Sequence, residues 1–192
     1  MGQLFCEVKQ IINNLNKYQI LFKRFLDSYK SHGINLWGLT VENEPVEGWN
    51  PHYTFNCLKL TPETERDLVK LNLGPTLEKA GYGKDKIKLM IYDENVYQDE
   101  IRKFCHTILS DPKASQYVSG IALHWYANHA MSGYPDGLLT EVHKNYSDYF
   151  LLNTEACHLD GPDLGKWDAG EKYAYDIIRV CTLLANCIDL LI

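Results

Sequence analysis

Short apolar runs that each end in ionisable residues, with a helical segment between one run and the next, constrain this chain most. The clearest is residues 35–45 (NLWGLTVENEP), apolar through Val41 and then abruptly polar at Glu42, Asn43 and Glu44. A strand buried on both faces reads as a continuous apolar run. Pro45 has no N–H to donate and biases Glu44 away from helical backbone, so the spacing predicts a strand over 35–41 that ends at Glu44 in extended geometry. The pattern recurs. Residues 87–92 run into Asp93-Glu94-Asn95, residues 120–123 into His124-Trp125-Tyr126, and residues 149–154 into Glu155. A fifth run starts at Ile188.

Helical spacing fills the intervals. Tyr18, Leu21, Phe22, Phe25, Leu26 and Tyr29 share one face, closed by His32-Gly33, whereas residues 1–15 suggest no clear role. Thr61-Pro62-Glu63 is a helix start, and that helix runs toward Ala80 with a kink expected at Gly74-Pro75. Ile101, Phe104, Cys105, Ile108 and Leu109 mark another face, ended by Asp111-Pro112. Residues 138–146 are helical, and Tyr173, Ile177, Ile178, Cys181 and Leu184 mark a last helix. The loop over 46–60 carries Trp49, Tyr53 and Phe55, and a polar loop spans 157–168. Regular alternation of helix and strand means an α/β fold with a parallel sheet and right-handed crossovers. It leaves open a closed barrel and an open doubly wound sheet, but no glycine-rich phosphate fingerprint follows any strand.

At 192 residues, with 45% hydrophobic and 23% charged, the chain reads as one globular domain without a linker. Its net charge of -6 argues against nucleic acid. No apolar run reaches about 18 residues, so no transmembrane span is expected. The N-terminus has no apolar signal segment, and Cys6 stands where a myristoylation start wants Ser or Thr. The six cysteines (6, 57, 105, 157, 181, 187) form no CxxC pair, so a zinc site is not expected. No cofactor is expected either. Their even number permits disulfides. However, Cys105 and Cys181 fall on helix faces and Cys57 and Cys157 in loops near the acids, which favours free thiols. Asn145-Tyr146-Ser147 is a glycosylation sequon.

Glu44 and Glu155 are the chemical pair. Each closes an apolar strand, and three crossovers separate them, so in a closed barrel they meet across the mouth. Retaining glycoside hydrolysis needs two carboxyls about 5–5.5 Å apart, one to protonate the leaving oxygen and one to attack the anomeric carbon. Acids that close cannot easily both ionise.

Residues 37–45 (WGLTVENEP), 53–57 (YTFNC), 61–66 (TPETER), 73–77 (LGPTL), 120–126 (GIALHWY), 154–157 (TEAC) and 167–168 (WD) occur in that order. In this the chain resembles the lysosomal glucosylceramidases of glycoside hydrolase family 30, over roughly residues 18–185. The resemblance implies a (β/α)8 TIM barrel with its acids on strands 4 and 7. It implies Glu44 as acid/base, Glu155 as nucleophile and Asn43 as the holder of the sugar 2-hydroxyl. It implies that His124, Trp125 and Tyr126 line the glucose site, with Tyr126 bonded to the nucleophile and His124 orienting the acid side. Tyr53 and Phe55 match aromatics on the aglycone side, and Cys157 matches a cysteine beside the nucleophile. Taken alone, His124, Trp125 and Tyr126 also read as core residues and Cys157 as packing. Two positions depart from the family. Glu94 stands where Gln is usual, and is expected at the site as a third carboxylate. Residues 187–192 lack a WTDWN-like motif.

The fold expected is therefore α/β: a partial (β/α)8 TIM barrel of about strands 4 to 8 with their helices, truncated at both ends. Residues 1–192 read as an incomplete catalytic domain without the N-terminal half of the barrel or the accessory β-sandwich. The function implied is a retaining β-glucosidase hydrolysing glucosylceramide to glucose and ceramide through a covalent glucosyl-enzyme. The parent is expected to be lysosomal or secreted, with a lipid-presenting activator protein and an anionic lipid surface as partners. The chain alone is expected to have little activity. The alternatives are a xylanase or β-1,6-glucanase of the same family, or an inactive interaction fragment.

Overall fold

The computed structural model describes residues 2–55, 57–126, 136–157, 165–183 and 187–189. In chain order the elements are α1 (Gly2–Ser31), β1 (Gly38–Thr40), α2 (Pro62–Leu68), α3 (Gly74–Lys79), β2 (Lys88–Asn95), α4 (Gln98–Leu109), α5 (Pro112–Ser115), β3 (Val118–His124), α6 (Asp136–Asn145), β4 (Phe150–Glu155), α7 (Asp168–Leu183) and β5 (Cys187–Asp189). The five strands pair in sequence order, β1-β2-β3-β4-β5, and every pairing is parallel.

That order separates the two architectures the sequence left open. A doubly wound sheet reverses direction at a switch point, which puts helices on both faces. Here the order never reverses. With every crossover of one hand, all helices fall on one face and the other face curls inward, as in a partial (β/α)8 barrel. The core follows this division. On the helix side Leu26, Leu68, Phe104, Ile108 and Leu139 pack against Leu89, Ile91, Ile121, Leu123 and Leu151 of the strands. On the inner face Met90, Ala122 and Leu152 form a separate small cluster with Phe150. Glycine makes that inner layer possible, because a Cβ on Gly120 would lie 2.3 Å from the Phe150 ring.

The helices depart from expectation in two places. Helical backbone starts at Gly2, well before Tyr18, and the expected apolar face of α1 divides. Tyr18, Phe22 and Leu26 face the core, while Leu21 is 61% and Phe25 43% exposed. α2 begins as its sequence requires, with Thr61 Oγ1 accepting the Thr64 N–H at 3.2 Å and Thr64 Oγ1 accepting the Thr61 N–H at 2.7 Å. The kink expected at Gly74-Pro75 takes the form of a π-helical turn over Val69–Leu73, just before the proline that cannot donate. Cys57, Cys105 and Cys157 are free thiols. The side chains of Cys6, Cys181 and Cys187 and residues 190–192 of the fifth apolar run lie outside those described.

Candidate active site

β1 is short, but its pairing continues past its end. Val41 N–H donates to Met90 O at 3.0 Å and Glu44 N–H to Asp93 O at 2.9 Å. Glu44 has φ +48°, so the extended backbone expected before Pro45 is not what forms. A following proline disfavours the right-handed helical region, and Glu44 adopts the left-handed one, where its N–H reaches β2. Glu42 pins the approach. The Tyr18 hydroxyl donates to its Oε2, and Leu58 N–H donates to its Oε1 at 2.9 Å, fastening α1 and the aromatic loop to this strand end.

Two β-bulges bring the remaining groups in. On β2 the pairing with β3 jumps from Tyr92↔Ala122 to Glu94↔Leu123, which makes Asp93 the extra residue; Tyr92 and Asp93 have φ of +76° and +42°. On β4 it jumps from Asn153↔Leu123 to Glu155↔His124, which makes Thr154 the extra residue. Bulges re-aim side chains, and here the two extra residues meet, Thr154 Oγ1 donating to Asp93 Oδ1 at 2.6 Å.

His124 sits between the strand ends, 1% exposed. Its Nδ1 is 3.1 Å from Glu44 Oε1, and its Nε2 is 3.2 Å from both Asp93 Oδ1 and Glu155 Oε2. Burial alone would push this imidazole down. The carboxylates of Asp93, Glu44 and Glu155 outweigh it and raise His124 to about 9, so the ring is an imidazolium at neutral pH. One oxygen of Glu44, one of Glu155 and one ring nitrogen of His124 lie within 4.8 Å of one another. Three such groups are a conceivable cation site, and a cation there would need His124 neutral, with a ring-nitrogen lone pair free.

Glu44 is 4% exposed and accepts the Asn95 amide at 3.2 Å, whereas the Glu155 side chain is 45% exposed and accepts the Tyr126 hydroxyl at 3.3 Å. That hydroxyl also lies 3.2 Å from the Cys157 thiol. A cleft of about 400 Å³ opens over the pair, lined by Asn43, Glu44, Glu47, Tyr53, Phe55, Asn95, Tyr126, Glu155 and Cys157.

Three residues expected to touch substrate do not line this cleft. Glu94 is 0% exposed and its carboxylate is turned to backbone. Its Oε2 accepts Val46 N–H at 3.1 Å, and its Oε1 accepts Asn95 N–H at 2.7 Å and the Asn95 amide at 3.1 Å. Burial first, and then the charge of Glu44, pushes Glu94 up to about 7. Glu94 thus fixes the loop after Glu44 and does not line the cleft. Trp125 is buried, stacked on Tyr173 at 4.7 Å, with its indole N–H donating to Cys157 O at 3.3 Å. His124 lies beneath the cleft, between the acids. Asp93, Thr154, Asn95 and Glu47 also belong to the site or its support, although they are not among the residues the sequence points to as substrate-binding or catalytic. The clue in the sequence was the cluster Asp93-Glu94-Asn95 at a strand end, where a bulge decides which of the two acids turns inward.

Residues 5–186 match the glycosyl hydrolase family 30 TIM-barrel domain. The chain belongs to glycosyl hydrolase family 30. Among its relatives it is 40% identical over 162 residues to putative glucosylceramidase 4 of Caenorhabditis elegans, and 35% identical over 162 residues to lysosomal acid glucosylceramidase of Mus musculus. In both cases the match takes in 82% of this chain and 30% of the relative. The chain therefore spans about a third of the length of the family 30 proteins it matches. Of solved structures, the endo-β1,6-glucanase BT3312 aligns with a TM-score of 0.72 at 26% identity, covering 93% of this chain and 37% of that one. The barrel fold and the family 30 assignment expected from the sequence motifs both hold.

Proposed function

We propose that this chain carries the acid/base, Glu44, and the nucleophile, Glu155, of a retaining β-glucosidase that hydrolyses glucosylceramide to glucose and ceramide. The observation that carries the reading is the approach of Glu44 and Glu155 to within 4.8 Å at the C-terminal ends of two parallel strands. A Glu155 oxygen attacks the anomeric carbon as the glycosidic bond breaks, and the leaving oxygen takes the proton of Glu44. Glu44 then removes a proton from water, which attacks the same carbon and frees Glu155. The His124 imidazolium and the Tyr126 hydroxyl steady the Glu155 carboxylate once it is released, and Asn43 is placed to hold the sugar 2-hydroxyl. Tyr53 and Phe55, with ring centroids 5.8 Å apart, offer an apolar wall to a lipid aglycone. The mouse relative's description as a lysosomal acid glucosylceramidase supports an acidic compartment, and the same proposal includes an activator protein and an anionic lipid surface that present the substrate. Turnover by this chain alone is slow, since a half-exposed Glu155 works in solvent that weakens every charge interaction.

A second reading, cleavage of β-1,6-glucan, is favoured by the likeness to the glucanase BT3312 and by Glu47, a carboxylate in the cleft that a hydroxyl-rich aglycone would engage. One experiment addresses both. Wild-type chain and Glu155→Gly are assayed on a fluorogenic β-glucoside, on glucosylceramide in anionic vesicles and on β-1,6-glucan. The expected result is loss of all turnover in Glu155→Gly, partial return of aryl glucoside cleavage with azide to give the inverted glycosyl azide, and preference of wild type for the lipid. Wild-type turnover by Glu155→Gly would refute the nucleophile. A preference for the glucan would replace the substrate, and no turnover by wild type under any condition would leave an interaction fragment as the function.

A further inference from the structure

Glu65, on α2, is 1% exposed and lies on the helix side of β2, away from the cleft. Its Oε1 accepts the Tyr92 N–H at 3.0 Å, and its Oε2 has no hydrogen-bond partner among the described residues. The register explains why a helix supplies this acceptor. Val41 N–H donates to Met90 O, so a regular parallel ladder would next join Tyr92 N–H to Val41 O. Val41 O instead accepts the Tyr18 hydroxyl at 3.0 Å. Tyr92 N–H leaves the ladder where the backbone turns to positive φ for two consecutive residues without glycine. Such backbone persists only when its surroundings over-determine it. The residue that follows is Asp93, whose carboxylate meets His124 and Thr154.

Resting on the reading of Glu44 and Glu155 as the reacting pair, we propose that Glu65 is a positioning residue for the active site: it holds the β2 bulge that swings Asp93 onto His124. The chain of contact runs from Glu65 through the Tyr92 amide and the Asp93 carboxylate to His124, and from there to both acids. The groups around Glu65 fit a neutral acceptor. Burial first, and then the charges of Asp93 on β2 and Glu42 after β1, push it up to about 8, and burial also raises the nearby Cys105 thiol of α4 and Tyr18 hydroxyl of α1, which stay uncharged. A glutamine would offer the same acceptor without the proton.

The test compares the whole chain as wild type, Glu65→Gln and Glu65→Met. The His124 ring is followed by nitrogen NMR across pH without substrate, and kcat and KM are measured on a fluorogenic β-glucoside. Glu65→Gln should leave the His124 titration in place and kcat within about twofold. Glu65→Met keeps the volume and removes the acceptor. It should move the His124 midpoint down toward its ordinary value and lower kcat by about tenfold, with KM changed by less than about threefold. The NMR arm is read without turnover, so a chain that hydrolyses no glucoside still tests Glu65. An unmoved His124 in Glu65→Met would overturn the proposal, as would a His124 midpoint displaced in Glu65→Gln. If Glu65→Met does not fold, Tyr92 amide exchange decides with the Gln variant: protection equal to wild type supports the bond, and protection lost overturns it.

Discussion

At the scale of single residues, the site is a place where protons are kept. His124, Glu65 and Glu94 are raised to about 9, about 8 and about 7, and Glu42 is raised as well. Burial causes the three carboxyl shifts, while neighbouring carboxylates overcome burial at His124. All four groups hold protons in the folded chain that the unfolded chain releases, so they act in one direction. Where the native state binds more protons than the unfolded state, stability falls as pH rises. For the carboxyls the loss begins above about 4.5 and continues through 7 to 8. For His124 the contribution is complete below about 6.5 and is lost as pH rises through about 9. Acids paired with cations, such as the partly buried Asp111 beside Lys70 and the exposed Glu141 beside Arg102, work the other way but only at lower pH, and exposed pairs contribute little. Urea unfolding should therefore show greater stability at pH 5.5 than at pH 9. Replacing His124 with Gln should remove roughly 3 kcal/mol of that difference. A wild-type chain more stable at pH 9, or an unchanged slope in His124→Gln, would contradict this assignment of charge.

At the scale of elements, what matters is where the strands stop being regular. Glu44 and Glu155 were legible because an apolar run that turns abruptly polar marks a strand end, whatever the fold around it. The roles of Asp93 and Glu94 were not legible. A bulge inserts one residue and exchanges the faces of those that follow, and Tyr92 and Asp93 reach positive φ without the glycine that would have announced it. Trp125 shared the apolar, aromatic character of its neighbours, and only the stacking partner on α7 distinguishes it from a residue of the cleft. The inner layer was hidden for a related reason, since a glycine in a strand pattern does not say which side chain crosses over it. A Cβ at Gly120 meets the Phe150 ring at 2.3 Å. Gly120→Ala should thus cost about 1–3 kcal/mol in urea unfolding, and adding Phe150→Leu should recover part of it. Equal stability of wild type and Gly120→Ala would show that the β3–β4 contact is looser than described.

At the scale of the molecule, five parallel strands in sequence order put every strand C-terminus on one rim, and the rim holds the chemistry. Around it stand exposed aromatics: Trp49 at 54%, Phe55 at 72% and Trp167 at 76%. Trp49 is covered on one side by Lys59, whose ammonium lies 3.2 Å from the ring centroid. Under the proposed function these aromatics would meet the lipid part of the substrate, and among the described residues no helix is long and apolar enough to cross a membrane. The sheet also presents β1 as a three-residue edge, and Trp37 beside it is 47% exposed, its ring 5.5 Å from Phe150. The whole account turns on one covalent bond. Incubating the chain with an activated 2-deoxy-2-fluoro-β-glucoside slows the second step and should leave a fluorosugar on Glu155, found by peptide mass spectrometry and missing in Glu155→Gln. A fluorosugar on any other residue, or none at all, would contradict the assignment of Glu155 as nucleophile.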